Sequence, residues 1–152
     1  MGKRSGYQRT PLDIKPGRII LWAATTEQRA EVAAKAQYRG NGAHKTYPSP
    51  SKEWEPSLRE GKSICWHFSS NEWSKLLELL RRAIVAGCVH AEFKGVFPTR
   101  VWAFINGKLH EARLHNPLLG EYHGFPLDYP EHYPSDPHDL LRGAPREQIA
   151  VN

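Results

Sequence analysis

Cysteine is scarce in this chain of 152 residues: Cys65 and Cys88 are the two it has. A disulfide framework of the kind that staples small secreted domains has no material here, so a reducing, cytoplasmic setting is the expectation. Long apolar runs are missing as well. No stretch approaches the roughly eighteen residues a membrane-spanning helix needs, and no membrane role is expected. The N-terminal stretch MGKRSGYQRTPLD lacks the apolar core of a secretory signal. Gly6 stands where an N-myristoylation signal requires Ser or Thr. P-loop, dinucleotide fingerprint, serine elbow and kinase motifs are absent, which removes the common nucleotide-dependent and acyl-transfer chemistries. Glu111, Glu121 and Asp128 are scattered and form no D-x-D or E-x-K nuclease pattern, so neither a magnesium site nor any other cofactor is expected.

What the chain does have is positive charge, with 21 Lys and Arg against 16 Asp and Glu, a formal net of +5. Such an excess speaks of phosphate-rich partners and of solubility, not of fold. Its five tryptophans supply large buried areas for a core. Residues 1–17 carry Lys3, Arg4, Arg9 and Lys15 against Asp13, a basic arm expected to be partly ordered. Residues 18–127 form the expected single domain, and 128–152, with four prolines, a Pro-rich tail.

Within that domain, 18-RIILWA-23 reads as a strand. Thr25 and Gln28 form a capping box for a helix running toward Gly40, with Ala30, Ala33, Ala34 and Tyr38 on its apolar face. Residues 40–63 make a polar loop long enough to imply function. Ser69 and Glu72 form a second capping box, followed by Trp73, Leu76, Leu77, Leu80 and Ile84 at helical spacing and a stop at Gly87. Short strands follow at 88–93, 101–105, 108–114 and 121–127. Asn106-Gly107 between two of them is the strongest short-range hairpin signal, because both turn residues must accept positive φ. The fold class is therefore α+β: N-terminal helices packed on a C-terminal antiparallel sheet with a central Asn-Gly hairpin.

The stretch 108-KLHEARLHNPLLGEYHGFPL-127 concentrates three of the eight histidines. Strand alternation places Lys108, His110, Ala112 and Leu114 on one face and Leu109, Glu111 and Arg113 on the other, so His110 and Arg113 point apart. Neither face is cleanly polar, and the pattern leaves open which is buried. If Arg113 shares a face with the 121–127 strand, the loop between them brings His115, Tyr122 or His123 near it. Histidine moves protons near neutral pH and arginine grips phosphate bidentately, which is what metal-free RNA cleavage requires. The competing account makes these half-buried strand residues bonded to backbone.

Three further sets carry candidate chemistry. His44 and Lys45, in the Gly-rich segment GNGAHKTYP, suit closure over a nucleic-acid backbone, with Arg100 and Arg113 as further phosphate contacts. Cys65-Trp66-His67 and Cys88-Val89-His90 are two C-x-H units whose ligand types fit tetrahedral zinc at an unfamiliar spacing; the expectation is no metal and two buried thiols. His123 is the preferred catalytic residue. Its neighbour Gly124 is small enough to admit a ligand's backbone, and Glu121, on the same face, is placed to orient the imidazole.

This order of helices, a long basic loop and then an antiparallel sheet carrying His, Arg and Tyr resembles the barnase, colicin-tRNase and RelE group of small RNases over residues 18–127. The resemblance implies a toxin or interferase that cleaves RNA without metal, with an antitoxin as a partner. It is one of layout and assigns no catalytic position. The candidate cleavage group is His123, Arg113, Tyr122, His110, His44 and Lys45. Two alternatives stand beside it: a non-catalytic module that binds nucleic acid along the same basic surface, stacking bases on aromatic rings, and a phage or defence protein that binds another protein through its Trp-containing loop.

Overall fold

Helix α1 (Thr26–Lys35) starts at the expected capping box. The Gln28 N–H donates to Thr25 Oγ1 at 3.1 Å, and the Thr25 N–H donates to Gln28 Oε1 at 2.9 Å. The computed structural model describes residues 15–39 and 72–150. Most of the basic arm, the loop with His44 and Lys45, the Cys65–His67 unit and Ser69 lie outside the described residues.

The helix stops at Lys35 and does not run on to Gly40. The chain turns extended at Ala36 and enters β1 (Gln37–Tyr38), whose backbone bonds go to the neighbouring strand: Gln37 N–H to Gly120 O at 2.8 Å and Arg39 N–H to Tyr122 O at 2.7 Å. Sheet pairing thus satisfies groups that a further helical turn would have used. The buried side of α1 is Val32, Ala33 and Ala36; Ala30 and Ala34 are exposed. Its C-terminal carbonyls are bound by Arg81, which donates to Ala34 O and Ala36 O at 3.0–3.3 Å.

Helix α2 (Trp73–Ala86) buries Leu76, Leu79, Leu80, Ala83 and Ile84 and ends at Gly87, which takes the left-handed conformation at φ 82°. Glu72 occupies its N-cap without a side-chain capping bond and instead pairs with Lys75 at 3.0 Å.

Short strands β2 (Phe93–Lys94) and β3 (Phe97–Pro98) form a separate hairpin. The main sheet contains β4 (Arg100–Ile105), β5 (Lys108–Asn116), β6 (Glu121–Pro126) and β7 (Arg146–Glu147), in the order β1-β6-β5-β4-β7. Its three long central strands are antiparallel. Both edges are not: β1 lies parallel to β6 and β7 parallel to β4, so the sheet is mixed and not antiparallel throughout. Each edge strand arrives from a remote segment of chain instead of through a tight hairpin, which is the connection a parallel pair needs. The runs at 18–23 and 88–93 contribute single bridges, Ile19 with His90 and Val89 with Val101.

Between β4 and β5, Asn106 and Gly107 have φ 52° and 80°, and Ile105 faces Lys108 across the turn. Asn106 does more than turn the chain. Its side-chain amide donates to Ile149 O at 2.9 Å, its Oδ1 accepts from Ile149 N–H at 2.8 Å, and its backbone N–H reaches Glu147 O at 3.0 Å. The C-terminal segment is docked through this residue. Replacing Asn106 with alanine removes both side-chain bonds and the tolerance for positive φ, and is expected to cost about 1–3 kcal/mol. Urea denaturation measures this; a loss under about 0.5 kcal/mol would show that the segment docks independently of Asn106.

Strand register decides which face each side chain takes. Val101, Ala103, Ile105, Ala112 and Tyr122 pack toward α1 and α2. Trp102, Leu109 and Phe125 face the other way, where Ile19, Leu127, Leu140 and Leu141 cover them. The sheet is apolar on both faces because both are covered, and this is why its strands do not alternate cleanly. Residues 128–150 supply that second cover. They include two short 3-10 turns, Pro130–His132 and Leu140–Gly143, and buried His132, Ala144 and Ile149. The second turn is capped by Asp136, which accepts from the N–H groups of Leu140 and Leu141 at 2.7 and 2.9 Å. Among the described residues, no helix is long and apolar enough to cross a membrane.

Candidate functional site

The face away from the helices is apolar at one end and ionisable at the other. One row across it reads Arg100, Arg113, His123 on β4, β5 and β6, each directly opposite the next. The adjoining row reads Trp102, Glu111, Phe125. Three residues singled out in the sequence are therefore brought into line by register alone.

Arginines directly opposite one another on paired strands repel. Glu111 compensates them from below. It is 1 % exposed, accepts from Trp102 Nε1–H at 3.1 Å and from Arg113 Nε–H, and lies 3.9 Å from Arg100 Nη1. A buried carboxylate is tolerated only when its oxygens are engaged in this way. Arg113 also stands over the ring of Phe125 at 5.3 Å, and Arg100 donates to Lys15 O at 3.0 Å. Both guanidinium groups are held in place, and the Arg113 side chain keeps 29 % exposure from which to meet a ligand.

Beside this row lies a pair of histidines. The β5–β6 register shifts between Leu114 and Asn116, and the irregularity places His115 Nδ1 3.1 Å from His123 Nδ1. The other ring nitrogen of His115 lies 3.8 Å from Glu121 Oε1. Glu121 in turn is gripped by Arg39 Nε at 3.0 Å and receives Asn116 Nδ2 at 3.4 Å. Three guanidinium groups (Arg39, Arg100, Arg113) are countered here by Glu111 and Glu121, and Arg100 also by Glu92.

Burial lowers the pKa of His115; Glu121 opposes that shift and Arg39 adds to it. Burial likewise lowers that of His90. As pH falls below about 6.5, these rings take up protons in the unfolded chain before they do in the folded one. Stability then falls with pH, and the loss levels off once pH is below the folded-state values. Urea midpoints at pH 7 and pH 5 test this: a lower midpoint at pH 5 is expected, and an equal or higher one contradicts it.

Of the remaining candidates His90 adjoins this face, its ring edge-on to Trp102 at 6.1 Å, and the others lie away from it. Tyr122 is fully buried on the helix-facing side; its hydroxyl donates to Pro98 O at 2.5 Å, and burial pushes its pKa well above the ordinary tyrosine range. It cannot act beside Arg113. His110 is also on the helix side, opposite Ala103, with Nδ1 3.1 Å from Lys108 O. It lines a cavity of about 40 Å³ against α2, space for a water molecule and not for a nucleotide. Nor is the space beside Gly124 open, because a Cβ there would meet Tyr38 Oη at 3.1 Å. Cys88 is buried, its thiol pointing to Leu140 O at 3.8 Å and pushed up to about 11 by burial. His90 Nδ1 sits 3.0 and 3.1 Å from the backbone N–H and C=O of Arg18. Among the described residues no three His, Cys, Asp or Glu side chains gather as a metal site would require. His44, Lys45, Cys65 and His67 lie outside the described residues.

Glu111 has a place in this site that inspection of the sequence did not assign. Its signal was present: it stands two residues before Arg113, hence on the same strand face. No protein-family model, curated protein or solved structure matches the chain.

Proposed function

We propose that this chain is a small, metal-independent endoribonuclease of toxin type. The observation that carries the proposal is the row Arg100–Arg113–His123, with two cations and a proton acceptor on one sheet face. In the reaction, His123 takes the proton of an RNA 2′-hydroxyl. The 2′ oxygen attacks phosphorus, the bond to the 5′ oxygen breaks, and a 2′,3′-cyclic phosphate and a 5′-hydroxyl result. Arg113 and Arg100 face the charge that builds on the non-bridging oxygens, the largest electrostatic demand of the step. Glu111 moves no proton; buried and engaged by Trp102 and Arg113, it holds the arginines where a phosphate meets them. In-line displacement also needs a proton donor for the leaving 5′ oxygen; His44 and Lys45, outside the described residues, are the sequence's candidates for that donor and for a further phosphate contact. A toxin of this type also implies an antitoxin, for which an acidic surface is the complement.

The alternative is a module that holds nucleic acid without cutting it. The 7 % exposure of His123 favours it, since a phosphate can reach the partly exposed Arg113 without any hydroxyl reaching the imidazole. Incubation of the purified chain with RNA in EDTA separates the two. Cleavage supports the enzyme; salt-sensitive binding without cleavage supports the module.

A further inference from the structure

We propose that His90 is the general acid of the cleavage, the group that hands a proton to the leaving 5′ oxygen while His123 takes one from the 2′-hydroxyl. The inference rests on the ribonuclease reading above and adds to it a second imidazole at the far end of the arginine row.

Register places it there. Val89 pairs antiparallel with Val101, and the bonds flanking that pair run from Trp102 N–H to Cys88 O at 3.1 Å and from His90 N–H to Arg100 O at 3.0 Å. His90 therefore stands opposite Arg100, and opposite residues of an antiparallel pair share a sheet face. Val89 and Val101 pack toward the helices, so His90 and Arg100 turn away from them. The edge-on contact of the His90 ring with Trp102, 6.1 Å between centroids, agrees with this. The row across the sheet thus reads His90, Arg100, Arg113, His123. Neighbouring strands lie about 4.8 Å apart, so the two histidines flank the arginine pair with about 14 Å between their backbones. A phosphate held by the arginines has an imidazole on either side, as in-line displacement asks of its base and its acid.

The surroundings of His90 suit a proton donor. Its Nδ1 lies 3.0 Å from the N–H of Arg18 and 3.1 Å from its C=O. A lone pair on Nδ1 accepts from the first and a hydrogen there donates to the second, so the ring is held in either protonation state. Among the described residues no hydrogen bond is made to Nε2, which is left to meet a ligand. The ring is partly exposed, whereas His123 keeps only 7 %. Burial lowers the pKa of His90; the Arg18 carbonyl opposes that shift, Arg100 adds to it, and Glu92 and Glu111 oppose it. A phosphate seated on Arg100 and Arg113 brings negative charge beside the ring and favours the cation an acid must be. As the bond to the 5′ oxygen breaks, the proton on Nε2 passes to that oxygen, and Nδ1–H stays on the Arg18 carbonyl. Exchange with water then restores the proton to His90 and removes the one His123 has taken.

Changing the leaving group tests this on the full chain in EDTA. Single-turnover cleavage is measured on an RNA and on the same RNA with sulfur in place of the 5′ oxygen at its linkages. A thiol is far more acidic than an alcohol, so the thiolate departs without needing a proton. His90→Ala should lose about 10²–10⁴-fold on the ordinary RNA and little on the sulfur-bridged one, whereas His123→Ala should lose on both. His90→Asn should match His90→Ala. Its Oδ1 can accept from the Arg18 N–H and keep that segment docked, but its amide is no acid, so it serves where the alanine variant does not fold. Equal losses on both RNAs would make His90 a structural contact, and full activity would pass the acid's part to another group. Either result overturns the inference and leaves the nuclease standing. A wild-type chain that cleaves neither RNA removes the nuclease proposal, and the part of His90 with it.

Discussion

Replacing His123 with alanine is expected to cut the rate of RNA cleavage by about 10²–10⁴-fold, the usual contribution of a general base. The imidazole lies opposite Arg113 in the row proposed to meet the phosphate, with His115 Nδ1 3.1 Å from its own Nδ1. RNA affinity should change little, because the cations that grip phosphate are untouched. Melting temperature should fall modestly, because the buried ring packs against Phe125 at 6.2 Å between centroids, so the comparison is made at a temperature where both proteins are folded. Single-turnover cleavage with RNA in EDTA is the measurement. A fully active His123→Ala protein would remove His123 as the base; a variant that lost binding in parallel would make the imidazole a phosphate contact instead.

The second large effect concerns Glu111. Removing it takes away the counter-charge shared by two arginines that face each other across β4 and β5, and leaves the buried indole N–H of Trp102 without its acceptor. Breaking a buried pair from one side typically costs 3–5 kcal/mol. Because the Arg113 side chain is 29 % exposed and can recruit water, the lower end applies. Glu111→Ala should therefore destabilise by about 3 kcal/mol, read from urea denaturation. Glu111→Gln should cost less, since its amide oxygen still accepts from Trp102. A loss below about 1 kcal/mol for the alanine variant would mean that Arg100 and Arg113 do not depend on Glu111.

Much of the fold can be read from local signals. The Thr25–Gln28 box starts α1, Gly87 stops α2, and strand alternation correctly separates Arg113 from His110. What local signals could not supply is pairing. The end of α1 is decided by a parallel partner some eighty residues away in sequence, Glu121 and Tyr122, and no helix propensity encodes it. The sheet's mixed direction has the same origin: both edge strands are two residues long, too short for a pattern. The site divides along the same line. Arg113 and His123 stand out by residue type, yet that they oppose one another depends on a register established by the loop between β5 and β6. The same register sends Tyr122 to the helix face, one residue away and on the other side of the sheet. Glu111 looked isolated because its partners Trp102 and Arg100 come from another strand.

The central claim is that the Arg100–Arg113–His123 face cleaves RNA by proton transfer without a metal. Analysis of RNA termini after incubation with the wild-type chain in EDTA tests it most directly. New 2′,3′-cyclic phosphate and 5′-hydroxyl ends, absent when the RNA is 2′-O-methylated, are the predicted result. Intact RNA, or fragments ending in 5′-phosphate, would contradict it.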